Sequence, residues 1–201
     1  RPGVRALLEV AGRSLADTTA RDLGFAAGPR LNAAGRLQDM GLGVECLVTA
    51  DGAHALALAQ QLHALNAERR EIEAGMRAQA EAIVADLVQR QPDHLPAAWC
   101  VSGADWHQGV SGIVAARVRE RWHCPVIAFA PAGAGCWRGS ARSIEGLHVR
   151  DLIDTVTKRH PGLVTRFGGH AMAAGLEVPA AALDDFSAAF TAAVAEAVGD
   201  Q

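Results

Sequence analysis

Aromatic residues are scarce in this sequence, which has no tyrosine, five phenylalanines and four tryptophans. Half of the residues are nonetheless apolar, which is enough for a chain of this length to bury a sizeable core. Because alanine supplies much of that apolar set, the composition favours helices and mixed α/β structure over a β-sandwich.

An excess of charge of one sign is also missing. The formal net charge is −3, which excludes a general basic field for nucleic acid or an anionic membrane, so any phosphate site must be local. No apolar run is long enough to span a membrane, and no signal peptide is present. Because the sequence begins Arg1-Pro2-Gly3 without a methionine, we expect it to be a piece of a longer protein.

Metal-binding patterns are the third absence. The aspartates are scattered, and none sits in the Asp-x-Asp or Asp-His-His arrangement that metal-assisted hydrolysis of a phosphodiester needs. The cysteines form no Cys-x-x-Cys pair and suggest no disulfide framework, so a reducing cytoplasm fits best. The sequence therefore predicts no catalytic residue and no metal ligand within this chain. The four cysteines are Cys46, Cys100, Cys124 and Cys136.

The pattern of residues changes twice along the chain. Residues 4–50 are predicted to form short helices punctuated by glycine. Residues 53–88 have no proline and a helical apolar spacing, which predicts one long helix, either a connector or an ordinary bundle helix, that ends near Gln91-Pro92. After Pro96, short apolar runs alternate with helical stretches, including a helix at 149–159 and a short strand at 163–167, which predicts an α/β domain. The predicted inward-facing residues of the long helix are Leu58, Leu62, Leu65, Ile72, Met76, Ile83 and Leu87.

Two polar blocks contain arginines that could bind phosphate. Arg30, Asn32 and Arg36 lie within seven residues, and guanidinium groups match phosphate oxygens; the arginines could instead pair with nearby carboxylates, Asp39 or Glu45. In the second block, an extended backbone would place Arg138, Ser140 and Arg142 on one face and Trp137, Gly139 and Ala141 on the other. The alternative for this block is a solvated edge strand guarded by charge.

Two further blocks contain a histidine next to glycine. His107 lies in the segment 105–112, where a strand should end and a helix begin, and it could bind substrate or cap the helix. Gly168 and Gly169 precede His170, and a glycine pair could turn successive N–H groups towards an anion. The alternative is a tight turn followed by a histidine that is satisfied in the core.

Taken together, these blocks resemble the RecJ family of single-stranded-DNA-specific exonucleases, within the DHH phosphoesterase superfamily. The resemblance covers nearly the whole chain, and the blocks occur in the order of the family. The matching segments are G-P-R-L-N-A-A-G-R at 28–36, D-W-H-Q-G-V-S-G-I-V-A at 105–115, G-S-A-R-S-I at 139–144 and F-G-G-H-A-M-A-A-G at 167–175.

The resemblance implies an α/β fold with a mixed sheet and flanking helices, preceded by a long connecting helix and short helices. Residues 1–50 would be the tail of the catalytic domain, 51–92 the connecting helix, and 93–201 the DHH-associated substrate-binding domain. The family's two Mn²⁺ or Mg²⁺ ions would be bound by an N-terminal catalytic domain that this sequence lacks. The piece alone is therefore expected to be inactive.

The same resemblance implies contacts with a single-stranded DNA that has a 5′ end. Arg30, Asn32 and Arg36 would line the substrate side of the cleft, and His107 is a further candidate for substrate binding. Ser140 and Arg142 would hold a phosphate at or near the 5′ end, and Gly168, Gly169 and His170 would face the metals.

The resemblance implies a role in DNA repair and recombination, with single-strand-binding protein and a helicase as partners. From the residues themselves we expect a cytoplasmic location and no membrane partner. Two alternatives remain open. One is another DHH phosphoesterase, such as an oligoribonuclease that also acts on phosphoadenosine phosphate. The other is a non-enzymatic nucleic-acid-binding module like the C-terminal domain of alanyl-tRNA synthetases.

Overall fold

The computed structural model describes residues 1–90 and 95–199. The chain divides into two compact units, Arg1–Ile72 and Glu73–Gln201. The predicted end of the long helix near Gln91-Pro92 lies outside the described residues. Within the described ranges, none of the helices combines the length and the apolar character that crossing a membrane requires.

The first unit is helical, as the glycine-punctuated sequence predicts. Its core gathers Leu7, Ala33, Cys46 and Leu62, all completely buried. The glycines do not all separate helices, because Gly35 lies inside one of them. Its elements are α1 Pro2–Val10, α2 Ala20–Asp22, the π-helix Leu23–Ala27, α3 Gly28–Leu37, α4 Gly41–Val48 and the first part of α5, which runs Gly52–Arg90.

Helix α5 confirms the predicted long helix, but its buried stripe differs at the C-terminal end. Leu58, Leu62, Leu65 and Met76 are buried as predicted. Leu87 is 43% exposed, and Val84 is fully buried instead. In a straight α-helix, a residue seven positions later lies about 20° further round the helix axis. Side chains spaced by seven residues therefore rotate away from the core after several turns.

The second unit is a five-stranded mixed sheet with helices on both faces, which confirms the predicted fold class. The strand order is β1-β2-β3-β5-β4, with β1 parallel to β2 and the other neighbours antiparallel. Helix α7 has its predicted bounds, and the strand predicted at 163–167 begins later. The elements are β1 Trp99–Ser102, α6 Ser111–Trp122, β2 Val126–Gly133, β3 Cys136–Arg142, α7 Val149–Arg159, β4 Arg166–Gly169, β5 Ala173–Pro179, the 3₁₀-helix Ala180–Ala182 and α8 Leu183–Gly199.

The sheet presents different surfaces on its two faces. On one face, Phe129 of β2 packs in the main core with Ile153 of α7 and with Phe186 and Phe190 of α8. On the other face, α6 packs against β2 and β3. Strand β3 is the middle strand of the sheet, so the alternative of a solvated edge strand for this segment is wrong.

Candidate functional site

Strand β3 carries the polar face that the sequence predicts. Ala141 is fully buried in the main core, and Trp137 packs against that core. Arg138, Ser140 and Arg142 alternate with them and point to the opposite face, the side of the sheet on which α6 lies. The alternation follows from the period of two along a strand, and it places two guanidinium groups on either side of one hydroxyl.

The first turn of α6 lies directly against this polar face. The Ser111 hydroxyl is fully buried, donates to the Gln108 carbonyl at 3.0 Å, and lies 3.0 Å from the Ser140 hydroxyl. A Cβ atom at Gly112 would stand 2.7 Å from Nη2 of Arg142, so the absent side chain leaves the space that the guanidinium occupies. Sequence reasoning missed the role of Ser111, although it falls inside the block that contains His107.

His107 forms the turn that leads into α6. Its Nδ1 accepts a hydrogen bond from the Gly109 N–H at 3.1 Å. Its carbonyl oxygen accepts from the N–H groups of Val110 and Ser111 at 3.0 and 3.2 Å. The structure therefore supports a turn-forming role for His107, and a contact of its ring with substrate stays a prediction.

Gly168 and Gly169 lie in the edge strand β4, next to β5, rather than in a tight turn. Successive N–H groups of a strand point in opposite directions, so the predicted convergence of these groups on one anion is wrong for this conformation. His170 is exposed, and its N–H donates to the Ala173 carbonyl at 2.8 Å. The alternative of a histidine in the core is therefore wrong as well.

The two glycines of β4 are required for different reasons. Gly169 has φ +149°, and a Cβ there would approach the Ala173 carbonyl oxygen and the Ala174 Cα within 2.5 Å. A Cβ at Gly168 would meet nothing within 4 Å, and the same holds for its register partner Gly175. Gly169 therefore shapes the backbone, whereas Gly168 leaves a surface bare.

That bare surface is the floor of a cavity of about 320 Å³. Gly168 and Gly175 are adjacent across β4 and β5, and Ser140 of β3 is the next residue in the same row. All three line the cavity together with Arg138 and Arg166. The second unit thus brings the predicted residues Ser140 and Gly168 to one concave and positively charged place.

The arginine block of the first unit lies on α3, and its members face different ways. Asn32 and Arg36 lie four residues apart, which places them on one face of the helix, and both are exposed. Arg30 faces inward and is only 7% exposed. Its Nη1 donates to the Ala26 carbonyl at 2.7 Å, and its Nε and Nη2 lie 3.3 and 3.2 Å from Nδ1 of His63. Pairing of Arg30 with a surface carboxylate is therefore wrong.

Among the described residues, buried Arg30 has no carboxylate among its hydrogen-bond or ion-pair partners. Burial lowers the pKa of Arg30, and the neighbouring positive charges of Arg70 and Arg13 lower that pKa further. The hydrogen-bond acceptors around it are a ring nitrogen of His63 and a carbonyl oxygen. An anion near this guanidinium would be electrostatically favoured.

The described residues do not fit a divalent metal ion. In residues 1–90 and 95–199, no group of three or more His, Cys, Asp or Glu side chains is placed to hold one. The groups on the polar face of β3 are hydroxyls and guanidiniums, and guanidinium groups do not ligate Mg²⁺ or Mn²⁺. This surface suits phosphate oxygens rather than a cation.

Comparisons with known proteins show which family this chain resembles. Residues 93–196 match the family model described as the DHHA1 domain. The chain is 54% identical over 196 residues to a protein of Dickeya dadantii (strain 3937) named single-stranded-DNA-specific exonuclease RecJ. The alignment covers 98% of this chain and 34% of that protein. The chain thus spans about a third of the length of the curated relatives that it matches.

Two solved structures share the fold. Crystal structures of RecJ from Thermus thermophilus, in complex with Mg²⁺ and with Mn²⁺, superpose with TM-scores of 0.78 and 0.77 at 31% and 32% sequence identity. Each superposition covers 97% of this chain, and 28% and 27% of those two chains.

Proposed function

This chain belongs to the DHHA1-domain family, and we propose that it is the substrate-binding part of a metal-dependent 5′→3′ single-stranded-DNA exonuclease of the RecJ type. Two Mn²⁺ or Mg²⁺ ions, held by residues outside this chain, would supply the activated water. The residues of this chain bind and orient the DNA, and they perform no proton transfer. The enzyme acts in DNA repair and recombination.

The observation that carries this proposal is the placement of Ser140 and Arg142 against the start of α6. Helix N-termini favour anions because the positive end of the helix dipole lies there. A guanidinium and a hydroxyl beside such a terminus match the oxygens of one phosphate. These two residues hold the phosphate at the 5′ end, and His107 supports the turn above it.

Arg30 and its helix form a second substrate contact in this proposal. A buried guanidinium without a carboxylate partner gains stability when a phosphate approaches. Asn32 and Arg36 present the exposed face of the same helix to the nucleotide chain. In support, the Dickeya relative that is 54% identical to this chain is named a single-stranded-DNA-specific exonuclease.

Gly168, Gly169 and His170 hold the scissile region of the strand in this proposal. The bare surface at Gly168 allows the substrate backbone to approach the sheet closely. The exposed His170 ring faces the metal-holding part of the enzyme and orients the phosphodiester bond. Positioning of this kind lowers the barrier by fixing the attack geometry in advance.

The proposed division of the chain follows the same assignment. Residues 1–50 are the tail of the catalytic domain, 51–92 the connecting helix, and 93–201 the DHH-associated domain. The enzyme works in the cytoplasm on DNA with a 5′ end, next to single-strand-binding protein and a helicase.

The purified chain tests this proposal directly. With Mn²⁺ and 5′-phosphorylated single-stranded DNA, it should bind the strand at low salt but release no nucleotides. Binding should weaken steeply as salt rises, because phosphate contacts displace counterions. Robust nucleotide release that a chelator abolishes would overturn the assignment of catalysis to residues outside this chain.

The full-length protein separates this function from that of another DHH phosphoesterase. A RecJ-type enzyme should degrade long single strands in preference to dinucleotides or phosphoadenosine phosphate. Preference for the small substrates would instead favour an oligoribonuclease. Tight binding of RNA, without any nuclease activity of the full-length protein, would favour a nucleic-acid-binding module.

A further inference from the structure

Three charged side chains form a row across strands β3, β5 and β4. Arg138, Glu177 and Arg166 are register partners on adjacent strands. Oε2 of Glu177 lies 2.6 Å from Nη2 of Arg166, 3.1 Å from its Nε, and 3.8 Å from Nη2 of Arg138. Both guanidinium groups therefore converge on a single carboxylate oxygen, which leaves the row with a net charge of +1.

This row forms one wall of the cavity whose floor is the bare pair Gly168 and Gly175. The carboxylate is largely covered, with 18% of its side chain exposed, whereas the side chains of Arg138 and Arg166 are 45% and 66% exposed. Gln108, in the turn before α6, accepts from Nη1 of Arg138 at 2.7 Å. The arginines are thus held in place while their guanidinium groups remain accessible from the cavity.

The row is separated along β3 from Arg142, the arginine of the proposed 5′-end position. Arg138 and Arg142 are four residues apart on β3, which is about 14 Å at the rise of an antiparallel strand. A stacked single strand spans that distance with about four nucleotides at roughly 3.4 Å each, and an extended single strand spans it with fewer nucleotides. A strand that starts at Arg142 and follows β3 therefore reaches Arg138 with a later phosphate.

Resting on the function proposed above, we infer that Arg138 and Arg166, oriented by Glu177, form a second phosphate-binding position for the single strand, downstream of its 5′ end. Two guanidinium groups in one fixed arrangement can grip a phosphate with several charge-assisted hydrogen bonds. Glu177 is a positioning residue, because it holds both arginines and itself carries a charge that repels phosphate. Ion pairs between exposed side chains contribute little to stability. A purely structural role would therefore not explain why two accessible arginines lie at this cavity.

The test is salt-dependent binding of DNA to the chain in the presence of a chelator. The probe is a 5′-phosphorylated 12-nucleotide single strand with a 3′ fluorophore, and the competitor is a 5′-phosphorylated dinucleotide. For the double variant Arg138→Ala/Arg166→Ala, affinity for the 12-mer should fall roughly tenfold. The slope of log K against log salt should become shallower by about 0.7, the value for one lost phosphate contact on a single strand. Affinity for the dinucleotide should not change.

A matched control removes two other paired charges from the same unit. Lys158 and Arg159 pair with Asp154 and Glu196 at the end of α7, and their double alanine variant should keep the wild-type slope. Circular dichroism melts show whether each variant folds, and Arg166→Gln, at the most exposed member of the row, provides a milder change.

The outcomes separate the two proposals. This inference would be overturned, and the proposed function left intact, if the double variant bound the 12-mer with the wild-type slope of log K against log salt. If the double variant does not fold, the same result for Arg166→Gln would overturn it. Equal losses for 12-mer and dinucleotide would also overturn it, because the position would not be separate from the 5′ end. If the unchanged chain bound neither probe at low salt, the proposed function itself would fail, and this inference with it.

Discussion

The hydroxyl groups of Ser111 and Ser140 lie 3.0 Å apart and join the first residue of α6 to the middle strand of the sheet. Both side chains come from short polar stretches, 29 residues apart in sequence. Their contact fixes the start of α6 over β3, and Gly112, the second residue of the helix, lies directly beside the guanidinium of Arg142.

Replacing Arg142 by alanine should remove the preference of the chain for a 5′-phosphate. The wild-type chain should bind a 5′-phosphorylated strand on the order of tenfold more tightly than the same strand with a 5′-hydroxyl, since hydrogen bonds to charged groups are worth roughly 1.5–3 kcal/mol. Arg142→Ala should bind both strands equally and melt close to the wild-type temperature. An equal loss of melting temperature and affinity would indicate a structural role instead.

Gly112→Ala should weaken phosphate binding through Arg142. The new Cβ would stand 2.7 Å from Nη2 and 3.5 Å from Cζ of Arg142, and the guanidinium must swing away because the side chain is flexible. Stability should change little, whereas the 5′-phosphate preference should drop. The matched variant Gly75→Ala lies in α5 with nothing within 4 Å of the new Cβ. It should stabilise the chain by up to about 1 kcal/mol and bind DNA normally.

The adjacent glycines of β4 should respond oppositely to alanine. Gly169→Ala should lower the free energy of unfolding by about 1–3 kcal/mol, because its φ of +149° is unfavourable for an L side chain and the Cβ would overlap β5. Gly168→Ala should unfold like wild type and bind single-stranded DNA less tightly, because its methyl group rises from the cavity floor. Urea titrations and anisotropy measurements on both variants check this contrast; similar stability losses would contradict it.

Alkaline pH should destabilise the second unit through two half-buried thiols. Burial raises the pKa of Cys100 to about 12 and that of Cys124 to about 11, against an ordinary value of 9.0. A raised pKa means that the fold favours the neutral thiol, so this contribution is complete below pH 9 and is lost as pH rises towards 11 and 12. Urea midpoints should therefore fall between pH 9 and 11.

A cysteine variant provides the control for that pH effect. Cys124→Ala should show a shallower decline of the urea midpoint than wild type across the same pH range. At pH 8, iodoacetamide should modify Cys100 and Cys124 much more slowly in the folded chain than in urea, because their raised pKa values keep both thiols protonated. Equally rapid labelling of either thiol with and without urea would contradict the raised pKa.

Local patterns were sufficient to predict most of the second unit. The amphipathic spacing of α7 gave its bounds, and the alternation along β3 separated Arg138, Ser140 and Arg142 from the core side chains. The sequence could not place Ser111 against Ser140, because that contact depends on how α6 docks on the sheet. It could not align Glu177 between its two arginines either, since the register of β5 is set by the connection after β4.

Periodicity also had limits in the first unit and on the long helix. The inward orientation of Arg30 results from the packing of α3, whereas composition alone favours an exposed arginine. Val84 replaces Leu87 at the buried surface because helical drift accumulates over many turns. In the glycine pair, composition suggested a turn, but pairing with β5 holds both residues in a strand.

The central position of β3 determines how the proposed 5′-end site should fail on heating. Strand β3 is hydrogen-bonded on both sides, and such strands exchange their amide hydrogens only when the whole unit opens. Ser140 and Arg142 therefore have no separate melting step. Recognition of the 5′ end should persist almost to the unfolding temperature and then disappear together with the fold, whereas contacts on the edge strand β4 should loosen earlier.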